Sequence, residues 1–81
     1  MKVCVRMFAA ARQLAGAPTI DVELPAAATV AQLRAAILER FPNLQPLQHH
    51  LLFAVNTQYA HDDTNLGESD EIACIPPVSG G

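Results

Sequence analysis

The sequence predicts a single α+β domain, a mixed β-sheet packed on one main helix. Three observations carry that expectation. The chain has 81 residues, 51% of them apolar, which is enough for one modest core and too little for two. Period-two runs of apolar residues flank one longer run of helical period. Proline or glycine marks most of the changes between them, and no repeat, low-complexity segment or interior linker interrupts the chain.

The elements follow in order. "KVCVRMF", residues 2–8, is rich in β-branched and apolar side chains and reads as a strand. "AAARQLAG" favours helix, with Gly16 suited to its C-terminal stop and Pro18 closing the turn. In "TIDVEL", Ile20, Val22 and Leu24 alternate with Thr19, Asp21 and Glu23, which predicts a half-buried strand ending at Pro25. Thr29 and Gln32 then stand three apart, the spacing of a reciprocal helix cap. Val30, Leu33, Ile37 and Phe41 form the apolar stripe of that main helix, and Pro42 ends it. "NLQPLQHH" predicts a connector with at most a short helical turn. "LLFAVN" and "TQYA" read as a strand and a short return strand. "HDDTNLGES" is a polar loop around Leu66, and "DEIACI" is the last strand. Packing these elements most simply puts the first and last strands side by side at the sheet centre, buried on both faces. That is the β-grasp, or ubiquitin-like, arrangement, over residues 1–75, with residues 76–81 as an extended tail.

Charge and composition narrow the function. The net charge is −3, there is no tryptophan, and lysine and arginine nowhere cluster. Nucleic-acid binders neutralise phosphates with clustered cations, so this class is disfavoured. No run approaches the roughly 20 apolar residues that span a bilayer. "MKVCVRMF" lacks a signal-peptide pattern, and the expected location is the cytoplasm. Cys4 and Cys74 lie in strand-like runs without CxxC spacing, and read as two buried thiols rather than a disulfide or zinc site. His49, His50 and His61 show no ligand spacing and read as surface residues, so no metal is expected. The acidic stretch of Asp62, Asp63, Glu68, Asp70 and Glu71 reads as a solvated loop. No glycine loop for phosphates is present, so any nucleotide belongs to a partner.

The most informative stretch is "IPPVSGG" at the end. Pro76 and Pro77 cannot donate ladder hydrogen bonds and favour an extended polyproline path. Val78 and Ser79 are small, and Gly80 and Gly81 carry no side chain. The segment reads as a thin arm whose one reactive group is the Gly81 carboxylate. With an intrinsic pKa of about 3.5 it is ionised at pH 7, and it can attack the α-phosphate of ATP without a base. Glycines let such an arm thread a narrow channel to a buried nucleotide. The plainer alternative is a frayed terminus. A preceding strand and "PPVS" favour the functional reading.

"DEIACIPPVSGG" resembles the end of the MoaD-type sulfur carriers, the small subunits of molybdopterin synthase. "FAAARQLAG" at residues 8–16 and "AVN" at residues 54–56 also match that family, so the resemblance covers essentially the whole chain. The resemblance implies that an E1-like adenylyltransferase converts the Gly81 carboxylate to an acyl-adenylate with Mg-ATP. Sulfur originating from a donor protein replaces AMP to leave a thiocarboxylate, and the large synthase subunit receives the tail. There the thiocarboxylate gives sulfur to a pterin precursor. Gly81 is then a carrier, most catalytic groups lie on partners, and no cofactor is bound by this chain.

The same resemblance makes Phe8, Tyr59 and Ile75 partner contacts, with Pro76, Pro77, Val78, Ser79 and Gly80 lining the threaded arm. Phe8, Tyr59 and Ile75 fit a core position as well. Arg12 matches a family arginine that pairs with acidic groups on partners, and it fits a solvated helix face equally. Two rival functions share the Gly-Gly end. One is sulfur carriage for thiamine or tRNA thiolation, and the other is a ubiquitin-like protein modifier.

Overall fold

The computed structural model describes residues 1–77. Five strands form one sheet: β1 (Lys2–Met7), β2 (Thr19–Glu23), β3 (Leu52–Val55), β4 (Gln58–Tyr59) and β5 (Ile72–Ile75). Two α-helices, α1 (Ala9–Ala15) and α2 (Val30–Arg40), and a 3-10 helix over Pro42–Leu47 complete the fold. The strand order is β2-β1-β5-β3-β4, with β1 and β5 parallel at the centre and the other pairs antiparallel. This is the β-grasp, and the two central strands are the predicted pair.

Each boundary has a local cause. Gly16 caps α1 at φ 77, a left-handed conformation that suits glycine, and its N–H donates to the Arg12 carbonyl. Thr29 and Gln32 close the expected capping box on α2. The Thr29 N–H donates to Gln32 Oε1 at 2.8 Å, and the Gln32 N–H to Thr29 Oγ1 at 3.3 Å. Phe41, ahead of Pro42, leaves the helical region at φ −124 and ψ 78. It lies half-buried at the C-cap, and Leu38 joins Val30, Leu33 and Ile37 as the fourth buried residue of α2.

The polar loop at residues 61–66 proves to be part of this helix's N-terminus. Backbone carbonyls of Thr64 and Asp62 accept from the N–H groups of Val30 and Ala31, both at 3.0 Å. The first turn of α2 therefore has backbone partners for groups that a helix start leaves unpaired. Leu66, 4% exposed, anchors the loop in the core.

One core lies between the sheet and the helices. Val3, Val5 and Met7 of β1 meet Ile20, Val22, Phe53, Ile72 and Cys74 from the other strands and Leu33 and Ile37 from α2. Two expectations fail here for one reason. The helices cover only one sheet face, so β1 alternates strictly between exposed and buried residues instead of being buried on both sides. Cys4 falls on the open side and is exposed, whereas Cys74 is buried as expected. Asp62 is likewise more than a solvated charge, because it pairs with Arg34 of α2 at 2.5 Å.

Candidate functional site

The open sheet face takes the alternate residues of each strand. Lys2, Cys4 and Arg6 of β1 and Thr19, Asp21 and Glu23 of β2 make one half polar. The other half is mainly apolar, with Glu71 at its border. Ile75 pairs with Leu52, Ala73 with Ala54, and Ala54 in turn with Tyr59, so these five share the face. Phe8 joins them from the end of β1, where its N–H donates to the Cys74 carbonyl at 3.2 Å. Because β1 and β5 run parallel, Phe8 and Ile75 stand at the same end of the sheet. Tyr59 is 70% exposed, Leu52 50% and Phe8 39%. Such an apolar patch on a small protein makes this face the candidate docking surface.

The predicted contacts divide accordingly. Phe8, Tyr59 and the half-buried Ile75 come together on this face. Pro76 is buried against the chain itself and Pro77 is exposed. Val78, Ser79, Gly80 and Gly81 lie outside the described residues. Arg12 stands apart on α1, exposed, beside a depression lined by Ala9, Gln13 and Gly16. The sequence reading missed Leu52 and Arg6. Leu52 sits in "LLFAVN", where the period-two pattern puts it opposite Leu51 and Phe53. Only the register with Ile75 shows that its side is the patch. The Arg6 guanidinium lies over the Phe8 ring, 5.4 Å from its centroid.

The turn that holds Tyr59 in place is built by Asn56. Asn56 and Thr57 have φ of 52 and 70, as a two-residue hairpin turn requires. The Asn56 side chain accepts from the Glu71 N–H at 2.9 Å and donates to Asp70 Oδ1 at 3.0 Å. It thereby ties the β3–β4 turn to the entry of β5, the strand that leads to the tail.

The described residues offer little chemistry of their own. No group of three or more His, Cys, Asp or Glu among them is placed to hold a metal ion. The three histidines are exposed. Burial pushes the Cys74 thiol up to about 11, and the nearby Arg34 charge offsets only part of that, so Cys74 stays protonated and unreactive at neutral pH. No helix among the described residues is long and apolar enough to cross a membrane.

A model of the ThiS family matches residues 5–81. The chain belongs to the ThiS family. Among curated relatives of this ThiS-family chain, a molybdopterin synthase sulfur carrier subunit from Caenorhabditis briggsae is 40% identical, covering 100% of this chain and 99% of its own. One of the same description from Arabidopsis thaliana is 32% identical over 100% of this chain and 84% of its own. Among solved structures, a putative molybdopterin converting factor subunit 1 from Pyrococcus furiosus superposes with a TM-score of 0.85 at 32% identity, covering 96% and 99% of the two chains. SAMP1 from Haloferax volcanii gives a TM-score of 0.86 at 27% identity, with both chains fully covered. A chain in the complex of subunits 1 and 2 of molybdopterin-converting factor from Helicobacter pylori gives 0.68 at 27% identity, again with full coverage.

Proposed function

We infer that this ThiS-family chain is the sulfur carrier of molybdopterin synthesis, with Gly81 as its carrier residue. The observation that carries the reading is the position of Ile75. It ends a central strand at one end of the apolar patch, between Phe8 and Leu52, so the segment leading to Gly81 leaves directly beside the surface that a partner would cover. Docking and delivery of the tail then become one event. The curated relatives at 32% and 40% identity support the sulfur-carrier reading.

Chemistry follows from what a carboxylate lacks. It is a poor acyl donor, so its oxygen first attacks the α-phosphorus of ATP and pyrophosphate leaves. The resulting acyl-adenylate has AMP as a good leaving group. Sulfur delivered by the donor at the sulfide level attacks the acyl carbon, AMP departs, and Gly81 is left as a thiocarboxylate. That group holds nucleophilic sulfur without free sulfide; its sulfur bonds to a carbon of a pterin precursor in the large subunit, and water then cleaves the acyl–sulfur bond, leaving the sulfur on the pterin and restoring the Gly81 carboxylate. In this reading Mg-ATP is bound by the adenylating partner, and Pro76 to Gly80 lead the arm into each active site. The partner surface takes Phe8, Tyr59 and Ile75, and Arg12 on α1 offers a separate ionic contact. The reading places the chain in the cytoplasm beside its ATP-using partner.

A protein-modifier reading has one observation in its favour, the likeness to SAMP1, a small archaeal modifier protein. Intact mass after incubation with the cognate adenylating enzyme, Mg-ATP, a sulfur source and cell extract separates the two. A carrier gains one oxygen-for-sulfur exchange. Lysine conjugates without that exchange would overturn the proposal.

A further inference from the structure

We propose that Arg6 selects the partner: its guanidinium, held on the Phe8 ring, receives a carboxylate from the rim of the large synthase subunit's apolar socket. The inference rests on the carrier reading above and adds to it a residue and a chemical requirement on the partner.

Arg6 projects from β1 on the open face, opposite Ala73 of β5. It is exposed, and it stands where the polar half of the face meets the apolar half. Its guanidinium carbon lies 5.4 Å from the Phe8 ring centroid. Among the described residues it forms no ion pair and no side-chain hydrogen bond, although Glu71 lines the same depression. The neighbouring Asp70 is already engaged, accepting from Asn56 Nδ2 at 3.0 Å and from the Gly67 N–H at 2.7 Å. Arg6 therefore borders the patch with the Glu71 carboxylate nearby but without a bonded countercharge among the described residues.

A partner that covers Phe8 also strips water from this guanidinium. Burying an unpaired charge is costly, so a tight fit demands an acidic group opposite it. The cation–π contact with the ring favours one placement of the guanidinium, which reduces the freedom lost on binding a carboxylate. A basic or wholly apolar rim is penalised at the same place, which makes Arg6 an element of discrimination as well as attraction.

The test is titration of the full chain against the cognate large subunit at low and high salt, with R6Q, R6K and R6E beside Tyr59→Ala. R6Q should weaken binding roughly tenfold at low salt and flatten the salt dependence, as loss of a rim ion pair does. R6K should recover part of that loss, R6E should bind more weakly than R6Q, and all three should unfold at the wild-type temperature. Wild-type affinity and salt dependence in R6Q, with Tyr59→Ala weakened, would overturn the inference and leave the carrier reading intact. Failure of the wild-type chain to bind would overturn both. A dimer of the isolated chain that R6Q abolishes would assign Arg6 to self-association and also overturn the proposal.

Discussion

Phe53 and Tyr59 occupy neighbouring strands but opposite faces of the sheet, and truncating each to alanine should separate folding from docking. Phe53 is 1% exposed and lies in the core under the Arg34 guanidinium. Its loss should cost about 3–5 kcal/mol, against a total of about 4–12 kcal/mol for a domain of this length. The unfolding temperature should fall by roughly 12 °C or more. Tyr59 is 70% exposed, so its truncation should change stability by less than about 0.5 kcal/mol. An aromatic side chain offers about 200 Å². A partner covering the exposed share gains about 3.5 kcal/mol gross at about 25 cal/mol per Å². Ordering and desolvation reduce this to about 2 kcal/mol, or about 30-fold in Kd. Thermal unfolding and calorimetric titration with the cognate large subunit measure the two quantities. If Tyr59→Ala destabilised the fold as Phe53→Ala does, or bound the large subunit with unchanged affinity, the assignment of this face would be wrong.

Ile75→Glu should weaken the same association more than tenfold, because it buries an unpaired carboxylate beside Leu52; unchanged affinity in the titration would return Ile75 to the fold alone. Deleting Gly81, or changing Gly80→Trp, should abolish adenylation while leaving thermal unfolding as in wild type, and sulfur loading at the normal rate would refute the threading argument. Thr29→Ala removes half of the capping box and should cost about 1 kcal/mol in denaturant unfolding. The two thiols should differ in kind: a thiol reagent labels exposed Cys4 in the native chain and reaches Cys74 only on unfolding. Raising pH should expose the same difference. The folded Cys74 thiol stays protonated up to about 11 from an ordinary 9.0, so its contribution is intact below 9.0 and stability falls as pH rises through that window. A Cys74→Ala variant should lose that part of the pH dependence.

Local signals were enough for the helices. Thr29, Gln32 and Pro42 bound α2 by chemistry that acts within four residues, and Gly16 does the same for α1. The sheet was legible in its elements and less so in its faces. "KVCVRMF" does not show which of its two rows meets the core, and assigning burial to both rows put Cys4 inside. That choice depends on helices covering one side only, a property of the assembled fold. The carrier role proposed for the tail rests on a signal that is chemical and local, two prolines and two glycines after a strand. The patch beside it was half readable. Phe8, Tyr59 and Ile75 came from resemblance. Leu52 and Arg6 became visible only through strand register and through a ring contact between residues two apart. The loop at residues 61–66 shows the same limit, since its carbonyls cap a helix some thirty positions earlier.

Where sulfur resides on the loaded chain is the most direct test. Fragmentation mass spectrometry of the chain after reaction with the adenylating enzyme, Mg-ATP and a sulfur donor localises it to one residue. The account predicts a single exchange of oxygen for sulfur at Gly81, with Cys4 and Cys74 unmodified. Sulfur added as a persulfide on Cys4, with an unchanged Gly81 carboxylate, would contradict it.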